Sequence, residues 1–336
     1  MSEFNKTPKR KFVIGIDLGG TNIKSAIIDY KGYIEKQLIT STNANCSQEE
    51  ILQNILKSAV LLFSNHFDIN DIPKNIFDGQ IAGIGISAPG YIDRENVIIA
   101  DGIYNIPSLK GAKIGEYINK HLNIKPKIDN DANNAAKGEV YYGAGKGFKH
   151  LICITLGTGI GGGLFLDGKP YGGAVNYAGE IGHNIIVPNG RRCSCGNYGC
   201  FETYSSATAI INEANDIIKK ELPSKLLNYK NEDINAKLVA ELANDGDMYC
   251  IDIIYNAGKY IGLAAASCFN LLNVEAFIVG GGVSAAGDML FNSIEYHARK
   301  YALPIAYKSA KILPAKLGNN AGLLGSAAMV FMEENN

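Results

Sequence analysis

Apolar residues fill positions 12–16 with scarcely a break before Asp17, as in a strand buried on both faces. The run stops at the tight turn Leu18-Gly19-Gly20-Thr21, and positions 25–29 and 33–41 read as two further strands joined at Asp29-Tyr30-Lys31-Gly32. The period then changes. Ser47 and Glu50 have capping-box spacing, and Ile51, Leu52, Ile55, Leu56, Ala59 and Val60 share one face of the helix they open. Positions 81–87 predict another strand, and 127–129 a shorter one that ends at an acidic cluster.

From there the pattern restarts. A shift of 138 positions lays Leu18-Gly19 on Leu156-Gly157 and Asp29 on Asp167, with apolar strands overlaid on both sides. Each half also has a later strand ending in a bend: Ile84-Gly85-Ile86 before Pro89-Gly90, and Phe277-Ile278-Val279 before Gly280-Gly281-Gly282. Such a repeat predicts two lobes, each opening with strand, glycine turn, strand. Positions 206–270 read as mainly helical, ending in a small-residue helix around 262–267, and a strand at 311–317 precedes a helix from 320 to about 332. The expected division is a small lobe at 1–125, with a C-terminal helix over about 319–336 packing back on it, and a large lobe at 126–318.

Composition narrows the class. The 336 residues, 46% hydrophobic and 19% charged, suit an ordinary globular chain with a large core. A net charge of −1 provides no field to draw it to nucleic acid or an anionic membrane, so neither is expected as a partner. The polar, basic start at 1–11 has no apolar segment, so no signal peptide is expected, and no run of about 18 apolar residues predicts a membrane span. The seven cysteines, an odd number, do not form a disulfide framework, which suits the cytoplasm.

The glycines carry chemistry. In Asp17-Leu18-Gly19-Gly20-Thr21-Asn22-x-Lys24 an acid ends a buried strand directly before glycines whose N–H groups can approach phosphate oxygens. Thr21 adds a hydroxyl, and Asp17 could hold the magnesium of a nucleotide. The second turn, Gly157-Thr158-Gly159, belongs to a G-x-G-x-x-G that ends at Gly162, but a strand pattern follows it rather than a helix, which excludes the dinucleotide reading of this turn. Two repeat-related phosphate turns are expected to face each other across a cleft and hold ATP. Gly280-Gly281-Gly282 precedes a helix and fits a looser dinucleotide pattern through Ala285, which keeps a dehydrogenase as a rival. No acid ends a strand about 20 residues on, however, so an adenosine-packing turn suits it better.

Cys193, Cys195 and Cys200 fall within eight residues, with Gly196 and Gly199 to bend the chain and His183 upstream as a fourth ligand. A closed Cys₃His set predicts a structural zinc. Glu180 and Glu202 flank it, and with the free nitrogen of a metal-pinned His183 they offer a polyol partners for its hydroxyls. Asp129-Asn130-Asp131-Ala132-Asn133 lies at a strand end, and either aspartate could take a proton from an attacking hydroxyl. A plain helix N-cap is the competing reading of that motif.

Together these motifs resemble the ROK family of bacterial sugar kinases and sugar-responsive repressors, over nearly the whole chain from Asp17 to the C-terminal helix. The resemblance implies an α/β, two-lobed actin-like and Hsp70-like (ribonuclease H-like) ATPase fold with an interlobe cleft. It implies that residues 17–21, with Asn22 and Lys24, and Gly157, Thr158 and Gly159 hold phosphates, and that Gly280, Gly281 and Gly282 pack on adenosine. It makes Asp131 the base and gives sugar contacts to Asn105, Asn130, Glu180, His183 and Glu202. The stretch 100–107 runs longer than the family's usual approach to that asparagine. Repressor members carry a DNA-binding domain before the first strand, and eleven residues are too few for one, so the expectation is a kinase. The implied reaction is transfer of the ATP γ-phosphoryl to the 6-hydroxyl of a hexose, glucose first, by a cytoplasmic homodimer or homotetramer. N-acetylmannosamine or N-acetylglucosamine kinase is the nearest alternative, and a non-catalytic sugar sensor the next.

Overall fold

A computed structural model of the chain describes residues 12–73, 76–77, 79–93 and 105–334. The polar start at 1–11 and most of the long approach to Asn105 (94–104) lie outside them. In chain order the principal elements are β1 (Phe12–Leu18), β2 (Asn22–Asp29), β3 (Ile34–Ser41), α1 (Gln48–Val60), β4 (Ile81–Ala88), α2 (Ile114–Leu122), β5 (Lys127–Asn130) and α3 (Asp131–Tyr142). There follow β6 (Leu151–Leu156), β7 (Ile160–Leu166), β8 (Lys169–Pro170), α4 (Glu202–Ser205), α5 (Ala207–Lys219), α6 (Ala236–Asn244) and α7 (Met248–Leu272). The chain closes with β9 (Ala276–Gly280), α8 (Asp288–Tyr301), α9 (Pro304–Ser309), β10 (Lys311–Pro314) and α10 (Ala321–Glu334).

Two compact units result, one of residues 1–146, 170–178 and 319–336, the other of 147–169 and 179–318. Each is built on a five-stranded mixed sheet, in the order β3-β2-β1-β4-β5 in the first and β8-β7-β6-β9-β10 in the second. The central pairings repeat as well: β1–β2 and β6–β7 are antiparallel, β1–β4 and β6–β9 parallel. The shift of 138 positions is thus a duplication of topology, and the fold is α/β of the two-lobed, actin-like ATPase kind.

In the first unit, β1 is buried at Val13, Ile14 and Ile16, and α1 lays Ile51, Leu52, Ile55 and Leu56 into the core that holds Ile14 and Ile16. Its capping box is complete: Glu50 N donates to Ser47 Oγ at 3.3 Å and Ser47 N to Glu50 Oε2 at 3.0 Å. Helix α10 packs on α3, β4 and β1, and does so closely because Gly85 and Gly325 present bare backbone to Ser326 and Asn134. β5 and α3, beyond the boundary read near 125, pair with β4 and pack on α10 within this unit. The second unit buries one face of its sheet under α7, whose small residues Gly258 and Gly262 let α8 approach its backbone. Strand β10 is shorter than the sequence pattern predicts. It ends at Pro314, which has no N–H for the ladder, and Gly318 then turns the chain at φ +52°.

Candidate active site and cysteine cluster

In the first unit Asp17 ends β1, opposite Lys24 on β2 and Ser87 on β4. Gly322 of α10 lies over it, where an added Cβ would sit 2.9 Å from Asp17 Oδ1. Burial pushes the Asp17 carboxyl above its ordinary range, against the Ser87 hydroxyl and the Lys24 charge, which pull the other way. The turn that follows is closed by Gly19 N donating to Asn22 O at 3.0 Å and pinned by Thr42, whose Oγ1 donates to Gly19 O and whose N donates to Thr21 O. A Cβ on Gly20 would stand 3.0 Å from that of Asn105, so this turn and the candidate asparagine are neighbours. Lys24 Nζ donates to Asn319 O at 2.9 Å.

The β5–α3 junction sorts the acidic cluster. Asn130 is the N-cap of α3: its Oδ1 accepts from Ala132 N at 2.9 Å and Asn133 N at 3.4 Å, while its Nδ2 donates to Gly90 O at 2.9 Å. The capping reading is therefore realised at Asn130, which keeps one amide proton beyond these bonds. Asp129 is engaged on both oxygens, accepting from Asn130 N (2.7 Å) and Asn133 Nδ2 (3.1 Å) on Oδ1 and from Lys137 Nζ on Oδ2. Asp131, the first residue of α3, is exposed, and its Oδ1 accepts from Ala132 N at 2.8 Å.

In the second unit β6 and β7 form the hairpin that the sequence predicts, with Gly157 N donating to Gly159 O at 3.0 Å. The start of α5 leans on this turn: Ala207 N donates to Gly157 O at 2.8 Å and Thr208 Oγ1 to Thr158 O at 2.7 Å. A Cβ on Gly159 would come within 2.6 Å of Glu202 Oε2. Gly162, by contrast, faces the Gly179 carbonyl and Ile181, which makes it a packing glycine. Gly281, at φ +87°, abuts the backbone of Leu156 and so sets Gly280-Gly281-Gly282 beside the Gly157–Gly159 turn. Within 4 Å of a Cβ built on Gly282, no described atom is met.

His183 ends the short 3₁₀ turn Ile181–His183, and Cys193, Cys195 and Cys200 come to it through a knot closed by Cys193 N to Asn197 O and Gly199 N to Arg191 O, 2.8 Å each. One ligand atom from each of the four lies within 4.8 Å of the others. The Cys195–Cys200 sulfurs are 3.6 Å apart and Cys193 Sγ is 3.7 Å from His183 Nδ1. A zinc tetrahedron with Zn–S of about 2.3 Å and Zn–N of about 2.0 Å has edges of about 3.8 and about 3.5 Å, so the donors fit that ion. Without a cation, burial pushes the Cys193 thiol up to about 12, with Glu202 adding to the rise. Cys193 Sγ then donates to Glu202 Oε1 at 3.0 Å, and His183 Nδ1 lies 3.8 Å from the same oxygen. Glu180 precedes His183 on the same turn and is exposed.

The family model described as ROK matches residues 13–333. The chain belongs to the ROK family. A glucokinase of Halalkalibacterium halodurans is 35% identical over 97% of this chain and 96% of its own. A xylose repressor of Bacillus spizizenii, also similar, is 30% identical over 98% of this chain but 79% of its own. Among solved structures, a ROK family glucokinase from Streptomyces griseus, in complex with glucose and AMPPNP, superposes with a TM-score of 0.76 at 29% identity, covering 96% of this chain and 99% of the other.

Three features of this ROK chain escape sequence reasoning. Lys137, eight positions after Asp129, has no local pattern linking it to that acid. Its one trace is a lysine on an otherwise small, apolar helix face with Ala132, Ala135 and Ala136. Residues 170–178, between the two glycine-rich stretches of the second half, belong to the first unit. There Tyr91 Oη donates to Val175 O, Asn176 Nδ2 donates to Ile92 O at 3.1 Å, and the rings of Tyr91 and Tyr177 lie 4.8 Å apart. Ser87, opposite Asp17, is the third, read only as the end of a strand.

Proposed function

We propose that this ROK protein is an ATP-dependent hexokinase that transfers the γ-phosphoryl group to the 6-hydroxyl of a hexose, glucose first. The observation that carries the reading is the β5–α3 junction. There the helix presents an exposed Asp131 while its neighbours Asp129 and Asn130 are tied to structure. The similar glucokinases, matched over nearly their whole length, support the same choice.

In this reading Asp131 accepts the proton of the attacking hydroxyl. Gly19, Gly20, Thr21 and Asn22, with Lys24, and the Gly157-Thr158-Gly159 turn meet phosphate oxygens through N–H, hydroxyl and ammonium donors. Gly280, Gly281 and Gly282 pack on adenosine. Asp17 suits magnesium, since a buried acid with a raised proton affinity gains most from a divalent partner. Asn105, Asn130, Glu180, His183 and Glu202 contact the sugar. His183, Cys193, Cys195 and Cys200 would hold a zinc that fixes the loop and takes no part in the transfer. Because Nδ1 faces the thiols, Nε2 of His183 carries the proton and can donate to a sugar hydroxyl.

The enzyme acts in the cytoplasm as a homodimer or homotetramer, without nucleic acid. Among the described residues no helix is long and apolar enough to cross a membrane, and none of the seven cysteines is in a disulfide. Coupled ADP release over a panel of hexoses tests the proposal. Sugar-dependent turnover is expected with glucose, and sugar binding without turnover would instead make the chain a sensor.

A further inference from the structure

Lys137 sits on the inner side of α3 at 4% exposure, where an ammonium is costly unless paired. Its Nζ donates to Asp129 Oδ2 and to Asn134 Oδ1 at 3.3 Å, and meets Met329 Sδ of α10 at 3.6 Å. Asp129 passes this anchoring on through Oδ1, which accepts from the backbone N of Asn130, the residue that caps α3 and precedes Asp131. Few other charges face this network. β4 carries none and α10 none before Glu333, while Asp17 lies at the far end of α10, against Gly322. β5 adds Lys127, and α3 adds Glu139, whose carboxylate accepts from Ala144 N at 2.7 Å.

We propose that Lys137 is a positioning residue for the base: its ammonium cancels the Asp129 charge where β5 turns into α3, so that Asp129 can fix the turn without repelling Asp131. The role rests on Asp131 being the base, but its first test needs no turnover. Carboxyl NMR titration of the ligand-free protein, with the Asp131 signal identified by its loss in Asp131→Asn, reads the effect directly. In Lys137→Met the Asp129 charge is left uncompensated, and the Asp131 midpoint should rise by about half a pH unit or more, roughly threefold in proton affinity. Asp129→Asn leaves the ammonium instead and should move the midpoint down. The double variant has neither charge and should return close to wild type. Midpoints that stay put in both single variants while Tm falls would reduce Lys137 to a structural ion pair, and the proposal would be wrong. It would be equally wrong if the double variant stayed as displaced as Lys137→Met. Should Lys137→Met fail to fold, Asp129→Asn and the double variant carry the same comparison. In the kinase assay the acid limb of kcat/KM for glucose should follow the NMR midpoint. A wild-type protein without turnover would sink the kinase reading, and the titration would still decide the role of Lys137.

Discussion

Asp129 and Asp131 are separated by one residue, yet their surroundings differ in kind. Asp129 accepts three hydrogen bonds, one from a buried ammonium, so its lone pairs are committed to holding β5 against α3. Asp131 opens the helix at an exposed position. Asp131→Asn keeps the shape and removes proton acceptance, so kcat should fall by about 10²–10⁴-fold with sugar binding largely kept. Asp129→Asn should lower Tm and leave kcat within about tenfold, since it breaks a buried pair and touches no reacting group. Steady-state kinetics on the two variants decide the matter, and a near-normal Asp131→Asn beside an inactive Asp129→Asn would reverse the assignment. Spacing alone leaves the two acids equal. What separates them is a lysine two helical turns further on, and a contact of that range has no signature in a single sequence.

Elements whose signals are local were legible: the first hairpin, the capping box of α1 and the cysteine knot all state themselves within about twenty residues. Glycine roles were less so, because Gly162 and Gly281 owe their identity to backbone segments distant in sequence, and a glycine motif reads the same whether it meets phosphate or another strand. The knot itself makes a prediction. Purified protein should hold one zinc per chain, and Cys195→Ser should lower both metal content and sugar affinity, because His183 and Glu202 are fixed through the same cluster. Metal analysis beside a sugar titration checks this, and unchanged affinity in metal-free protein would contradict it. A second element prediction concerns α7. Its cap Asp247 accepts from Cys250 N (3.0 Å), Lys225 N (2.6 Å) and Ser224 Oγ (2.8 Å). Burial alone would raise this carboxyl, but those donors outweigh it and hold it below its ordinary range. A depressed folded value means that the charged cap stabilises fully above the unfolded value and loses its contribution as pH falls through the folded one. Asp247→Ala should therefore cost about 1–3 kcal/mol near neutral pH, and the gap to wild type should narrow below about pH 4 in urea melts.

At the scale of the molecule, the duplicated sheets account for the pair of candidate glycine turns. Each copy of strand, glycine turn, strand brings one set of N–H groups to a sheet end, so the two turns proposed to hold phosphate follow from one topology used twice. The proposed sugar contacts do not share that symmetry. Asn105, Asn130 and Asp131 belong to the first unit, while Glu180, His183 and Glu202 come from the knot that only the second unit carries. A knot-borne set of this kind pairs ring hydroxyls, and a site built to pair a hydroxyl can reject an analogue lacking it by about 10⁴-fold. Rejecting an added acetamido group is a different task, governed by steric room, and these side chains can pair the hydroxyls of glucose and of N-acetylhexosamines alike. Glucose should therefore owe its preference to fit, and it should show the highest kcat/KM among glucose, fructose, N-acetylglucosamine and N-acetylmannosamine. An N-acetylhexosamine favoured over glucose by tenfold, about 1.4 kcal/mol in the transition state, would transfer the assignment to that sugar and leave Asp131 and the phosphate turns in their roles.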